Sequence, residues 1–316
     1  MKAVVVSEAG GPEKLVYQEL PTPQVKPGWS LVKVMGFGIN HSEIFTRQGL
    51  SPSVEFPRIL GIEAVGVVKE STDEARLPEG GKVVSIMGEM GRDFDGGYAE
   101  YVLLPNEQIY PVTTDLTWEE LATIPETYYT AFGSLKMLRV KESDRILVRG
   151  GTSGVGIAFL NLVKGRYPNI EIDGTSRNMV KKEMLQKAGF SDVMEDRDGE
   201  LQTDKKYDKI FELIGPATVK NSFEHILEEG IVCSTGQLGG QWYLEEFDPI
   251  FDTKKGYLTG FPSSDVSSAQ MNELLDYISK YGIRVKPEKI FSLEETAKAH
   301  AYLESSHSFG KVIILN

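Results

Sequence analysis

Between Asp144 and Lys164 the chain reads DRILVRGGTSGVGIAFLNLVK, and no other stretch limits its fold as tightly. Arg145, Ile146, Leu147, Val148 and Arg149 form a short apolar-centred run, followed at once by Gly150, Gly151, Gly154 and Gly156. From Val155 onward the apolar residues Ile157, Leu160, Leu162 and Val163 shift to helical spacing, so the order is strand, tight glycine turn, helix. In that context the glycines form a dinucleotide fingerprint. Gly151 is expected to permit the sharp turn, while the first helical turn at Gly154 and Val155 offers N–H groups and a positive dipole end to a pyrophosphate. Gly156 is expected to let helix and sheet pack closely. Ser153 replaces the middle glycine of G-x-G-x-x-G and is expected to place a hydroxyl near the phosphates. A glycine-rich turn that holds no ligand is the competing reading.

A chain of 316 residues is long enough for two domains with full cores. Lys and Arg number 34 against 46 Asp and Glu, a formal charge of -12, which disfavours nucleic acid and anionic membranes as main partners. The single cysteine, Cys233, excludes an intramolecular disulfide and a thiolate metal cluster. With no apolar run near the length of a membrane span and no secretory leader pattern, the expectation is a soluble cytoplasmic protein.

Residues 1–125 contain short apolar runs broken by Gly and Pro, at 2–6, 31–36, 64–70, 82–88 and 99–104, a spacing that predicts a compact, mostly β domain. Asn40, His41, Ser42 and Glu43 are read as a loop between two of these runs. From 126 to 262, strand candidates at 170–175, 192–195, 208–214, 230–235 and 256–260 alternate with helical stretches such as 178–188 and 216–228. This predicts an α/β, doubly wound parallel sheet, with ligands at the carboxyl ends of its strands, where Gly215, Ser234, Thr235 and Gly236 fall. Residues 263–316 read as two amphipathic helices, near 268–281 and 293–305, and a final strand.

Taken together, GFGINHSEIFTRQG at 36–49, ILGIEAVGVV at 59–68, GGYAEYVLLP at 96–105, TYYTAF at 127–132, the fingerprint and FGKVIIL at 309–315 resemble the medium-chain dehydrogenase/reductase superfamily, in its zinc-independent quinone oxidoreductase branch. The resemblance covers essentially the whole chain. It implies a GroES-like catalytic domain over 1–125, a Rossmann nucleotide-binding domain over 126–262, and a C-terminal return, 263–316, that completes the first domain and brings Phe309, Gly310 and Lys311 near the cofactor. It also implies a substrate cleft whose mouth is formed by residues 40–49, Tyr128 and 261–264.

Zinc-dependent members carry metal ligands at positions that match Asn40, Ile62 and Glu126 here. Asn40 and Ile62 supply neither the nitrogen nor the sulfur such a site needs, so no metal is expected. Glu63 is read as an orienting carboxylate and Glu126 as a loop carboxylate. At the end of the second strand, where an acid would take the ribose hydroxyls of NAD, the sequence has Ser176, then Arg177 and Lys181; a small hydroxyl with two cations suits a 2'-phosphate, so NADPH is the expected cofactor. Asp173 as an NAD-selecting acid is the alternative.

For chemistry, Asn40 is a candidate donor to substrate or ribose, Tyr128 a candidate donor to a developing enolate, and Thr130 a candidate partner of the nicotinamide carboxamide. Tyr128 and Tyr129 read equally well as core. His41 is a possible proton donor, whereas His225, His300 and His307 read as surface or helix-packing residues. The implied function is reduction of a quinone or an α,β-unsaturated carbonyl by NADPH, without metal. The alternatives are a relative of the zinc-type alcohol dehydrogenases and a catalytically silent cofactor-binding protein of the crystallin kind. A homodimer, paired through an edge strand near 256–261, is expected from the resemblance.

Overall fold

The computed structural model describes residues 1–305 and 307–316. The chain forms two compact units: Met1–Tyr129 with Ser264–Tyr277 and Val285–Asn316, and Thr130–Ser263 with Ile278–Arg284. The first boundary lies inside the helix Pro125–Leu138, four residues beyond the expected 125/126 division. Residues 278–284, expected with the C-terminal return, belong to the second unit. Gly165, in the helix after the glycine turn, explains this: a Cβ there would lie 2.4 Å from Ile283 Cγ1, so the missing side chain is the seat for Ile283.

The first unit is built around Trp29–Ile39. Its sheet runs in the order Lys289–Ser292, Val312–Leu315, Trp29–Ile39, Glu63–Glu70, Lys82–Ile86, Tyr110–Pro111, and Tyr101–Pro105 also pairs with Trp29–Ile39. A smaller sheet joins Leu15–Glu19, Lys2–Val6 and Arg58–Ile59. Alternation along these strands sends Val32, Val34, Phe37, Val68, Val83, Val102 and Leu104 into one shared core. The last strand is integral to it, since Ile313 pairs with Gly38 and Leu315 with Gly36, antiparallel. The first unit is mostly β, and a C-terminal strand pairs inside its main sheet. Residues 40–43 differ from expectation: Asn40 precedes a helix, His41–Arg47, that follows the strand directly. Its inward face, Glu43, Ile44, Thr46 and Arg47, is buried, a helical spacing too short to stand out from sequence.

In the second unit the strands run Glu200–Leu201, Val193–Arg197, Glu171–Ser176, Arg145–Arg149, Tyr207–Glu212, Ile226–Ser234, Tyr257–Thr259. All pairings are parallel except the first. The parallel strands are in doubly wound order, with the direction of winding reversing beside Arg145–Arg149, so the ligand crevice belongs at the carboxyl ends of Arg145–Arg149 and Tyr207–Glu212. The helix expected over 216–228 ends at Glu224, and Ile226 already pairs with Tyr207 as a strand. The remaining strands and helices lie within a few residues of their expected places. Among the described residues, no helix is long and apolar enough to cross a membrane.

Candidate cofactor and active site

The strand Arg145–Arg149 ends at Gly150, and it is Gly150, with φ +94°, that makes the left-handed turn assigned from sequence to Gly151. Gly151 instead admits its neighbours, because a Cβ on it would crowd Gly174 Cα and the Phe190 ring at 3.3 Å. The helix Gly154–Arg166 starts on Ser153, whose Oγ accepts from Gly156 N at 3.0 Å and donates to Gly150 O at 2.8 Å. The hydroxyl expected near the phosphates is therefore turned back onto the backbone as a helix cap. A Cβ on Gly156 would lie 2.7 Å from Gly150 O, so this glycine lets helix and turn close on each other. Gly154 and Val155 fill the first turn, where N–H groups have no intrahelical acceptor, an arrangement that suits an anion.

The next strand, Glu171–Ser176, ends at Ser176, whose Oγ donates to Asn178 O at 2.9 Å and accepts from Asn178 N at 3.2 Å. Arg177 is exposed and Lys181 half-buried, in the short turn that follows. Asp173, the alternative NAD-selecting acid, is fully buried, accepting from Lys205 Nζ at 3.0 Å and Tyr207 OH at 3.1 Å. Its carboxylate is held in the interior of the unit.

Gly215 and Gly236 sit at the expected strand ends, and each makes room for backbone: a Cβ on Gly236 would lie 2.2 Å from Leu213 O, and one on Gly215 2.4 Å from Gly236 O. Beneath them lies a network that the sequence pattern did not reveal. Arg149 is fully buried and forks onto Asp196 at 2.7 and 3.0 Å, while donating to Thr218 O and Ser222 Oγ. Glu212, also fully buried, accepts from Ile214 N, Gly215 N and Ser222 Oγ. One ion network thus fixes the turns that end two adjacent strands. The signal was present as charged residues closing two apolar strands, Arg149 and Glu212. Thr130 is buried in the same unit and its carbonyl accepts from Ser134 Oγ.

In the first unit the matched zinc-ligand positions gather around Glu63, which is fully buried at the start of Glu63–Glu70 and not in a turn. Its Oε1 takes Lys311 Nζ at 2.5 Å and Asn40 Nδ2 at 3.0 Å, and its Oε2 takes Glu126 N at 2.6 Å. Lys311 Nζ also donates to Asn40 Oδ1 at 2.6 Å. Gly38 is required beside them, because a Cβ there would fall 2.0 Å from Lys311 Cε and 2.2 Å from Glu63 Oε1. Lys311, expected at the cofactor, spends its ammonium inside this cluster, and Asn40, expected as a substrate donor, has both ends of its amide engaged. Glu126 is in the first turn of Pro125–Leu138 and not in a loop. Tyr128, 3% exposed, and Tyr129 are buried, and the Tyr129 hydroxyl donates to Asp265 O. Phe309 is half-buried, its N–H held by Glu288 Oε2 at 2.8 Å.

A metal does not suit this donor set. The oxygen atoms of Asn40 and Glu63 that would face it are bridged by an ammonium, Ile62 offers none, and among the described residues no group of three or more His, Cys, Asp or Glu could hold an ion. A dinucleotide does suit the second unit, on the evidence of the glycine cradle and the open first turn. Of the histidines, burial pushes His41 below its ordinary value, and His300, fully buried between Arg47 and the Tyr98 hydroxyl, is pushed down to about 3, chiefly by burial.

Comparison with known proteins agrees with this architecture. Residues 26–114 match the alcohol dehydrogenase GroES-like domain and residues 188–314 the zinc-binding dehydrogenase domain. The human quinone oxidoreductase is 28% identical, over 100% of this chain and 98% of its own length, and the mouse protein 26%, over 100% and 98%. The solved quinone oxidoreductase of Coxiella burnetii superposes with a TM-score of 0.85 at 25% identity, covering 100% and 99% of the two chains. A mycobacterial protein solved in complex with NADPH shares the fold, with a TM-score of 0.82 at 24% identity and full coverage of both. With both domain types in order and relatives matched end to end, the chain belongs to the medium-chain dehydrogenase/reductase superfamily of nicotinamide-dependent oxidoreductases, and its similarity runs to that superfamily's quinone oxidoreductases.

Proposed function

We propose that this protein reduces quinones or α,β-unsaturated carbonyls with NADPH and without a metal. The observation that carries the reading is the Lys311 ammonium bridging Glu63 Oε1 and the Oδ1 of Asn40, which stands at a position matching a ligand of the zinc-dependent relatives. A ketone or alcohol gains from a Lewis acid that polarises its C–O bond, whereas the conjugated carbon of a quinone or enone is already electrophilic. The reduced nicotinamide supplies the hydride. Residues of the chain then serve chiefly to orient: the N–H groups of Gly154 and Val155 would hold the pyrophosphate, Arg177 and Lys181 would meet the 2'-phosphate, and Thr130 would steady the carboxamide. Asn40, fixed at both ends, acts as a positioning residue. Tyr128 is the candidate donor to the oxygen that gains charge. The names of the human and mouse relatives support the substrate class.

Titration with both cofactors tests the reading together with a turnover panel. NADPH should bind at least tenfold tighter than NADH, a difference of about 1.4 kcal/mol that one charge-assisted contact supplies. Arg177→Ala should remove most of that preference, and reduction of quinones should survive exhaustive chelation. Equal affinities in the parent protein, or activity lost with a stoichiometric zinc, would overturn it.

A further inference from the structure

Residues 87–94 form a tightly held loop whose cation, Arg92, makes no ion pair among the described residues. Met87 N donates to Ile62 O at 2.7 Å, Arg92 N and Asp93 N both donate to Glu89 O at 3.0 Å, and Gly91 N donates to Phe94 O at 2.9 Å. Met87 and Glu89 take φ of +59° and +65°, a region that non-glycine residues enter only where the surroundings force it. Gly91 comes so close to Gly61 that a Cβ would lie 2.7 Å from Gly61 N. The loop is thereby pinned against residues 61–62 and the helix His41–Arg47.

What this backbone delivers is Arg92. The half-buried guanidinium donates through Nη2 to Ser42 Oγ at 2.7 Å, and its Nε is buried without an acceptor among the described residues. The other arginines that are at least half-buried are neutralised: Arg47 by Glu304 at 2.8 Å, Arg58 by Asp95 at 3.2 Å and Arg149 by Asp196 at 2.7 Å. Among the described residues, no carboxylate lies within ion-pair distance of Arg92. Asp95, three residues on, is taken by Arg58 and by Ile59 N. Because Ser42 Oγ accepts from Arg92, its own proton is left to donate elsewhere. The pair therefore presents donors only, two residues from Asn40. A buried donor left unpaired is costly, and a planar cation beside a hydroxyl donor matches the two oxygens of a carboxylate.

We propose that Arg92 and Ser42 form an anion-recognising subsite that selects substrates bearing a carboxylate or comparable oxyanion beside the reducible quinone or enone. The inference rests on the reductase reading for its substrate class. In a chain of net charge -12 the surface repels such a molecule, so a local cation is needed to retain it.

The test uses the full chain with NADPH and two matched probe pairs. Naphthoate and naphthamide share shape and differ in charge; a naphthoquinone and its sulfonate report the same contrast in turnover. The wild type should prefer naphthoate. Arg92→Gln should weaken naphthoate at least about tenfold while changing naphthamide less than about twofold, with Arg92→Lys intermediate and Ser42→Ala a smaller loss of the same sign. The sulfonate-to-parent ratio of kcat/KM should fall in proportion in Arg92→Gln. Equal losses for charged and neutral probes, or no preference in the wild type, would overturn the subsite. A wild type that reduces neither quinone yet prefers naphthoate through Arg92 would sink the reductase reading and leave the subsite standing.

Discussion

Glu43 shows how a single side chain carries both fold and chemistry. It is fully buried, its Oε1 accepts from Ile62 N at 3.3 Å and Asn40 Nδ2 at 3.4 Å, and its Oε2 has no partner among the described residues. Burial, then the charge of Glu63, pushes its carboxyl up to about 8, against a downward pull from Lys311. At neutral pH it is therefore largely protonated, and the cluster of Glu43, Glu63 and Lys311 is close to neutral. Because the folded value lies above the unfolded one, the stabilisation is fully present below about pH 4.5 and is lost as pH rises through about 8. Glu43→Gln keeps the shape and removes the titration. Its melting temperature should fall less steeply than that of the wild type between these limits, and at pH 9 the variant should be the more stable by about 1–3 kcal/mol. Parallel melting curves across that range would contradict this. The sequence displayed Glu43 only as one more polar residue of a loop. What makes it unusual is the strand and the buried neighbour that close over it.

At the scale of elements, the glycine turn was legible in kind but not in detail. The strand, turn and helix lie where the apolar spacing put them, yet the left-handed residue is Gly150 and Ser153 is a cap. Ser153→Ala should cost about 1 kcal/mol and lower the melting temperature by roughly 2–4 °C, while changing the NADPH dissociation constant less than about threefold, because the hydroxyl is already occupied by backbone. Ser153→Gly, which restores the usual glycine, should recover most of the stability. A large loss of NADPH affinity in Ser153→Ala at normal stability would put the hydroxyl back on the phosphates. The helix expected to continue to 228 shows the opposite limit. HILEEG has helical propensity, but pairing of Ile226 with Tyr207 and the turn at Glu229, φ +63°, draw it into a strand.

For the whole molecule, the outstanding matter is what covers the edge of the second sheet. Tyr257–Thr259 pairs on one side only, with Tyr257 60% and Leu258 43% exposed, and the segment before it exposes Tyr243, Ile250 and Phe251 at 79%, 81% and 72%. An apolar strand left at an edge invites pairing, and a second copy of the chain is the expected occupant, as the family resemblance also implies. Sedimentation at micromolar concentration should give twice the chain mass of 35.1 kDa. Leu258→Lys should shift the protein toward the monomer without unfolding it. A single species at the chain mass in the wild type would rule the dimer out.

The sequence by itself determined the two folds, their order along the chain and the place of the strand, glycine turn and helix, because strand and helix periodicities and a glycine turn are local properties written within some twenty residues. It also marked Asn40 and Ile62 as poor metal ligands. Only the tertiary structure decided that Lys311 neutralises Glu63, that Asp173 is interior, that Arg149 ties two strand ends together, and that Arg92 reaches Ser42 without a counter-charge. These are pairings across 248, 32, 47 and 50 residues of chain. A charged side chain looks the same in sequence whether it is solvated or buried, and its partner and its burial are fixed only when distant strands close around it.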